Sequence, residues 1–157
     1  MISQVYADQL MRMPKIPRKK SAFSFPVSGE WIEIEMVSRN GKEEFIFDIN
    51  RKGQILLRCT LQERWDKTTV LLRLETTGGP HTNPPITVPV PSWAKKYVRQ
   101  SMSTPHLHIY LEEYGDRWAF PVPSDRFKNL HDIQQTLMDF FDYCNVLERP
   151  ILQFGLD

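Results

Sequence analysis

The chain has 157 residues, a formal net charge of +1 and 41% hydrophobic residues. These values predict one soluble globular domain (residues 1–157) and leave nucleic acid open as a partner. No apolar run approaches the ~18 residues of a membrane helix and no apolar leader opens the sequence, so we predict a cytoplasmic protein with no membrane partner. The two cysteines are too few for a disulfide framework and indicate buried, reduced thiols.

The first twenty residues predict a short N-terminal helix followed by a basic connector. Ser3 is a candidate N-cap, and apolar residues follow it at helical spacing, at Tyr6, Leu10 and Met13. Pro14 ends the helix. Residues 14–20 carry Lys15 and three further basic side chains, and we expect this connector to be exposed.

Residues 21–122 predict a sheet, because apolar and polar residues alternate with the period of a strand. The predicted strands cover residues 22–27, 30–36, 43–50, 54–62 and 68–76. Asn40-Gly41 is typical of a two-residue hairpin turn. In the fourth strand Arg58 is expected to face outward, and the inward set is Ile55, Leu57, Cys59 and Leu61. Short connections of this kind favour an antiparallel meander.

Residues 77–104 interrupt the alternation with a long loop rich in glycine and proline, in which residues 92–101 predict a short basic helix. A further strand at 104–112 then pairs with 116–122 across a turn at Tyr114-Gly115. Loops of this length in a small domain are often functional or mobile.

Residues 123–157 predict a C-terminal helix and a tail. Asn129 is the expected N-cap of a helix that runs to about residue 144 with one apolar stripe, and residues 151–154 predict a short edge strand or a loose end. The fold class is therefore α+β: an antiparallel meander sheet of about six or seven strands, the C-terminal helix on one face, and a short N-terminal helix.

A histidine cluster is the candidate functional site. On the strand at 104–112, His106, His108 and Tyr110 alternate with aliphatic residues and are predicted to share one face. His81 arrives on the preceding loop. Two neighbouring histidines can act as general base and general acid near neutral pH, and Tyr110 could orient them. These three strand residues are the candidate catalytic groups.

Basic and aromatic residues around the cluster predict phosphate or RNA contacts. Arg58 and Arg73 are expected to face outward on neighbouring strands, and guanidinium groups bind phosphate through paired donors. The other predicted contacts are His81 and, on the loop, Trp93, Lys95 and Lys96. Together with the acid–base pair they are typical of RNA cleavage without a metal or other cofactor.

Two alternatives stay open for the same residues. The histidines with a carboxylate such as Glu112 or Asp116 could hold Zn²⁺ or Fe²⁺. The polar side chains could also serve only to cover the sheet.

The chain resembles a family of uncharacterised bacterial and phage proteins over nearly its whole length. The similar segments are residues 7–15, the block Leu-Leu-Arg-Leu at 71–74, Gly-Pro-His-Thr-Asn-Pro at 79–84, Pro-His-Leu-His-Ile-Tyr at 105–110 and Tyr-Gly-Asp-Arg-Trp-Ala at 114–119. This family has no assigned activity.

The order of Arg73, His81, His106 and His108 is also similar to that of TumE-type toxins of bacterial toxin–antitoxin pairs. This resemblance implies a toxin of a mobile or defence-related locus that acts on RNA and has a cognate antitoxin. The alternative function is a non-enzymatic interaction protein, such as a phage-encoded inhibitor that binds a host defence protein.

Overall fold

Two helices and a large antiparallel sheet organise the chain in the computed structural model, which describes residues 1–53 and 58–155. The helices are α1 (Gln4–Arg12) and α2 (Ile133–Tyr143). The strands are β1 (Lys15–Pro17), β2 (Ala22–Ser24), β3 (Trp31–Ser38), β4 (Glu44–Asn50), β5 (Thr60–Trp65), β6 (Thr69–Glu75), β7 (His81–Thr82), β8 (Ser101–Met102), β9 (His106–Ile109), β10 (Ala119–Pro121) and β11 (Ile151–Gln153).

The main sheet has seven strands in the order β1-β3-β4-β5-β6-β9-β10, and every neighbouring pair is antiparallel. Strands β3 to β6 form the predicted meander, so the α+β fold is confirmed. The connection from β5 to β6 is a three-residue turn, residues 66–68, in which Asp66 and Lys67 have positive φ.

The core lies between one face of this sheet and the helices. Ile34, Phe47 and Leu61 point into it from successive strands, as their alternation predicts. From α2, the rings of Phe140 and Phe141 lie 6.2 and 5.8 Å from that of Phe47. Full burial of each such side chain contributes about 1.5–3 kcal/mol, so this contact fixes the helix on the sheet.

The two helix starts differ in how well the sequence predicts them. The hydroxyl of Ser3 accepts a hydrogen bond from the backbone N–H of Tyr6, which confirms it as the N-cap of α1. The prediction that Asn129 caps α2 is wrong. Asp132 is the N-cap and accepts from Gln135, while Asn129 closes a preceding turn by accepting from the N–H of His131.

The connector after α1 is not the exposed segment that its charges suggest. Residues Lys15–Pro17 form edge strand β1 against β3, and the Lys15 side chain is completely buried. It lies beside Glu63, whose opposite charge offsets part of the cost of burying the ammonium.

Two predicted strands lie outside the main sheet or outside the described residues. Strand β2 pairs in parallel with β11, so the tail is a strand, but in a separate two-stranded sheet. Of the strand predicted at 54–62, residues 54–57, with Ile55 and Leu57, lie outside the described residues. Cys59 and Leu61 are buried as expected, and Cys59 and Cys144 are both free thiols.

The long loop between β7 and β9 packs on a second apolar cluster that contains Trp118 and Phe120. The hydroxyl of Tyr114 accepts from the backbone N–H groups of Thr87 and Val88, which holds the loop on this cluster. In place of the predicted basic helix there is one 3₁₀ turn, Lys95–Tyr97. Within residues 1–53 and 58–155, no helix combines the length and apolar character needed to cross a bilayer.

Candidate functional site

Four polar side chains meet on the sheet face that the helices leave open. His106 and His108 of β9 lie directly opposite Glu75 and Arg73 of β6 in the antiparallel register. Directly paired residues of neighbouring strands have side chains on the same face, about 5 Å apart. The predicted common face of Arg73 and the two histidines is therefore confirmed.

Both histidine rings are buried and oriented by backbone carbonyls. Nδ1 of His106 donates to the carbonyl oxygens of Met102 at 3.1 Å and Ser103 at 3.3 Å, and Nδ1 of His108 donates to that of Asp116 at 2.9 Å. Because a carbonyl oxygen only accepts, the hydrogen of each ring lies on Nδ1. The Nε2 atom of each ring consequently faces the interior of the site.

Both Nε2 atoms converge on the carboxylate of Glu75. Nε2 of His106 lies 3.3 Å from Oε2, and Nε2 of His108 lies 3.7 Å from Oε1. The histidine side chains are 1% and 2% exposed, whereas that of Glu75 is 30% exposed. Solvent therefore reaches the site from the side of Glu75.

Arg73, Asp116 and His81 form the rim of the site. Nε of Arg73 donates to Oε1 of Glu75 at 3.0 Å, and its Nη1 donates to Oδ2 of Asp116. His81 contacts the carbonyl oxygen of Arg117 through Nε2, and its ring lies 4.8 Å from that of His108. The loop thus brings the third predicted histidine next to the other two.

The electrostatics of the site keep His108 neutral. Burial, followed by the positive charge of Arg73, lowers the pKa of His108 to about 4. Burial tends to raise the pKa of the Glu75 carboxyl, but Arg73 and the imidazoles lower it, and the net pKa lies below its ordinary value. At neutral pH an ionised carboxylate therefore faces the lone pair of a neutral imidazole.

The site contains a set of side chains suited to hold a metal ion, namely Glu75, His106 and His108. Their ligand atoms all lie within 4.8 Å of one another. Neutral imidazole and carboxylate are the ligands of catalytic zinc and non-haem iron sites, which use three protein ligands and leave a position open. In such sites the ring nitrogen that does not bind the metal typically donates to a backbone carbonyl or a carboxylate, as Nδ1 of both histidines does here.

Other predicted site residues lie elsewhere. The prediction that Tyr110 shares the histidine face is wrong, because β9 ends at Ile109 and the alternation stops there. Tyr110 lies in the main core, and its hydroxyl donates to the carbonyl oxygen of Ile2. The alternative metal ligand Glu112 accepts from the backbone N–H of Gln4, away from the histidines.

The basic loop is also separate from the histidines. Trp93 packs on Phe120 with ring centroids 5.0 Å apart, and Phe120 pairs with Leu107, which faces the main core. Lys95 and Lys96 are exposed on the same loop. Arg58 is exposed just before β5, near Gly53.

Glu75 is the site residue that the sequence analysis did not select. It lies two residues after Arg73 on the same strand, so the period-2 rule that placed Arg73 on the open face also placed Glu75 there. Its role follows only from the pairing of β6 with β9, which the sequence alone does not specify.

The fold and site define an α+β protein with a buried two-histidine, one-carboxylate site on the open face of its sheet. The chain belongs to DUF6978, a family of unknown function whose profile matches residues 2–146. No curated protein and no solved structure matches the chain significantly.

Proposed function

We propose that this protein is a metal-dependent enzyme that acts on RNA, with a divalent ion held by Glu75, His106 and His108. One observation carries the proposal. Nε2 of the buried His106 has no hydrogen-bond partner among the described residues, although it lies 3.3 Å from a carboxylate oxygen. An unpaired buried polar atom is costly, and a cation between the two acceptors removes that cost.

The geometry of the three ligand atoms fits such an ion. Bonds of ~2.1 Å in a tetrahedral Zn²⁺ site separate two ligand atoms by ~3.4 Å. His106 lies 3.3 Å from one oxygen of Glu75 and His108 lies 3.7 Å from the other, and the three ligand atoms all lie within 4.8 Å of one another. Side-chain rotations that shorten the longer separations would complete the site. Three protein ligands leave a fourth position for water or substrate, on the exposed side of Glu75.

The charge of the site favours an anionic ligand once the metal is bound. Glu75 and Asp116 contribute two negative charges, and Arg73 contributes one positive charge. These three charges sum to one negative charge, and a divalent ion converts this to one positive charge. A phosphodiester, with its single negative charge, neutralises the loaded site.

RNA is the proposed substrate because Arg73 borders the metal position and because the chain resembles TumE-type toxins. In the proposed reaction the 2′-oxygen attacks the adjacent phosphorus, and the bond from phosphorus to the 5′-oxygen breaks. A divalent ion held by Glu75, His106 and His108 would supply the general base that takes the 2′ proton, and that proton would pass to the departing 5′-oxygen. The products are a 2′,3′-cyclic phosphate and a 5′-hydroxyl end.

This proposal differs from a metal-free acid–base pair. Both Nε2 atoms face Glu75 and both rings are almost fully buried, so a phosphate would have to displace Glu75 to reach them. Metal coordination uses the same atoms after side-chain rotations and leaves Glu75 in the site.

Metal analysis of the purified protein tests the first half of the proposal. After loading with Zn²⁺ and removal of excess metal, about one ion per chain should remain. His106→Ala, His108→Ala and Glu75→Gln should each lose it, whereas His131→Ala, at an exposed histidine, should retain it. Absence of bound metal in the wild type, with activity that survives a chelator, would support the acid–base pair instead.

RNA cleavage and growth inhibition test the second half. The loaded protein should cleave single-stranded RNA to cyclic phosphate ends and inhibit growth when expressed. A chelator should abolish cleavage, and Zn²⁺ should restore it. If the protein binds metal but leaves every RNA intact, RNA is rejected as the substrate and the metal site is retained.

A separate observation supports the second candidate function, that of a non-enzymatic interaction protein. Trp93 and Ile86 are 46% and 41% exposed on the long loop, beside Lys95 and Lys96. Exposed apolar residues with flanking charges are typical of protein contacts. If growth effects persist in His106→Ala and disappear in Trp93→Ala, this function is supported and the enzymatic one is not.

A further inference from the structure

The open face of the sheet carries two rows of polar residues that lead directly to the proposed metal site. The strand registers align Trp31, Asn50, Thr60, Glu75 and His106 in one row. The adjacent row contains Glu33, Asp48, Gln62, Arg73 and His108. Each row crosses five neighbouring strands, from β3 to β9.

A groove of about 350 Å³ lies along these rows. Trp31 lies at one end of the groove and Arg73 at the other. Three strand spacings of ~4.8 Å place Trp31 ~14 Å from Glu75 along the first row. The groove is therefore continuous with the site, since Arg73 lines the groove and also donates to Glu75.

The acidic residues of the groove are partly neutralised. Arg64 donates to both oxygens of Asp48 at 2.7 and 2.8 Å, and to Glu33 at 3.0 Å. These ion pairs offset one of the two negative charges, and the other remains. Arg73 at its inner end, and Lys52 at its outer end, supply positive charge.

Neutral hydrogen-bonding groups line the floor between the two ends. The Asn50 side-chain NH₂, the Thr60 hydroxyl and the Gln62 side-chain carbonyl have no protein partner in the part of the chain that the structure describes. Donors and acceptors of this kind can pair with the edges of unstacked bases.

Trp31 provides a stacking surface at the outer end. Its side chain is 45% exposed, and Nζ of Lys52 lies 4.3 Å from the ring centroid. Sheets that bind single-stranded RNA use exposed aromatic residues on which bases stack, together with cationic side chains that contact the backbone.

We propose that this groove binds single-stranded RNA, with one base stacked on Trp31 and the scissile phosphate at Arg73 and the metal. This inference rests on the proposed function and adds the path of the substrate across the sheet. The chain would cross the strands at right angles, which places a stacked base ~14 Å from the reacting phosphorus.

Binding of a short 2′-O-methyl oligoribonucleotide to the Zn²⁺-loaded protein tests the inference, since this probe lacks the attacking hydroxyl and stays intact. Trp31→Ala should weaken binding at least about fivefold, as expected for loss of one stacked base, and Trp31→Phe should restore most of it. Trp93→Ala, at a tryptophan of equal exposure on the other face, is the matched control and should bind normally.

Metal content separates failure of this inference from failure of the proposed function. If Trp31→Ala retains Zn²⁺, binds the probe as tightly as the wild type and cleaves RNA at the same rate, the groove assignment is overturned and the metal-dependent function stands. If the wild type binds no Zn²⁺, the proposed metal-dependent function is rejected. If it binds Zn²⁺ but no probe, both the groove and the RNA substrate are rejected, while the metal site remains.

Discussion

The ammonium group of Lys15 lies 2.9 Å from Oε1 of Glu63, and both side chains are completely buried. The same ammonium donates to the carbonyl oxygens of Met11 and Met13 at the end of α1 and of Cys144 at the end of α2. Cations are favourable at helix C-termini, where carbonyl oxygens lack intrahelical partners. Lys15 therefore joins both helices to the sheet through one buried charge.

Removal of one member of this pair should destabilise the fold strongly. Lys15→Met leaves the Glu63 carboxylate buried without its partner, and we expect a loss of about 3–5 kcal/mol in the free energy of unfolding. Lys19→Met, at an exposed lysine of the same basic run, should change stability by less than about 0.5 kcal/mol. Urea denaturation measures both.

The double variant Lys15→Met/Glu63→Leu supplies the internal control. Because neither charge remains, it should be more stable than the summed losses of Lys15→Met and Glu63→Leu predict. Strictly additive losses would show that the two charges are not energetically coupled.

Lys15 also shows why part of the fold could not be predicted from the sequence. The alternation of apolar residues in β3 to β6 specifies a strand and its buried face, and the structure follows it. A buried lysine carries no such signal, because its burial depends on Glu63 and on two helix ends that are distant in sequence. A short basic segment between prolines has the same pattern whether it is exposed or lies at a sheet edge.

The candidate site was predictable to the extent that it depends on one strand. Period-2 alternation placed His106 and His108 together, and it placed Arg73 on the open face. The convergence on Glu75 depends on the β6–β9 register, and the burial of the rings depends on the loop that follows β6. The position of Tyr110 depended on where β9 ends, which local alternation does not reveal.

Stability of the metal-free protein should fall as the pH is lowered from neutral to about 4. The pKa of His108 is about 4 in the folded protein and ~6.5 in the unfolded chain, so the unfolded state binds this proton first. The loss begins near pH 6.5, continues toward pH 4 and totals about 3 kcal/mol. Unfolding measured with a chelator present should show this dependence, and His108→Gln should lack it. An unchanged dependence in His108→Gln would assign the effect to other groups.

Asn83 should be essential for the position of the loop that carries His81. Its Nδ2 donates to the carbonyl oxygens of Tyr97 and Ala119, and its Oδ1 accepts from the N–H of Ala119 at 2.7 Å. Asn83→Ala leaves these buried backbone groups unpaired and should cost about 2–3 kcal/mol.

Hydrogen exchange gives the local measurement for this variant. Protection of the amide of Ala119 should fall in Asn83→Ala and not in Gln100→Ala, whose side chain makes an exposed bond within the same loop. Equal protection in both variants would show that the apolar cluster under the loop is sufficient to hold it.

Arg73 should affect metal binding and catalysis in opposite directions. Its guanidinium lies beside Glu75 and lowers the pKa of His108, so its charge opposes that of a bound cation. In Arg73→Met we therefore expect affinity for Zn²⁺ to rise at least a few-fold. Cleavage of RNA should fall by about 10²-fold or more, because the charge that faces the phosphate in the transition state is lost.

Arg58→Met, at an exposed arginine away from the site, should change neither quantity. Titration with Zn²⁺ and single-turnover cleavage measure the two effects on the same preparations. A parallel loss of metal binding and cleavage in Arg73→Met would instead mean that Arg73 only holds Glu75 and Asp116 in place.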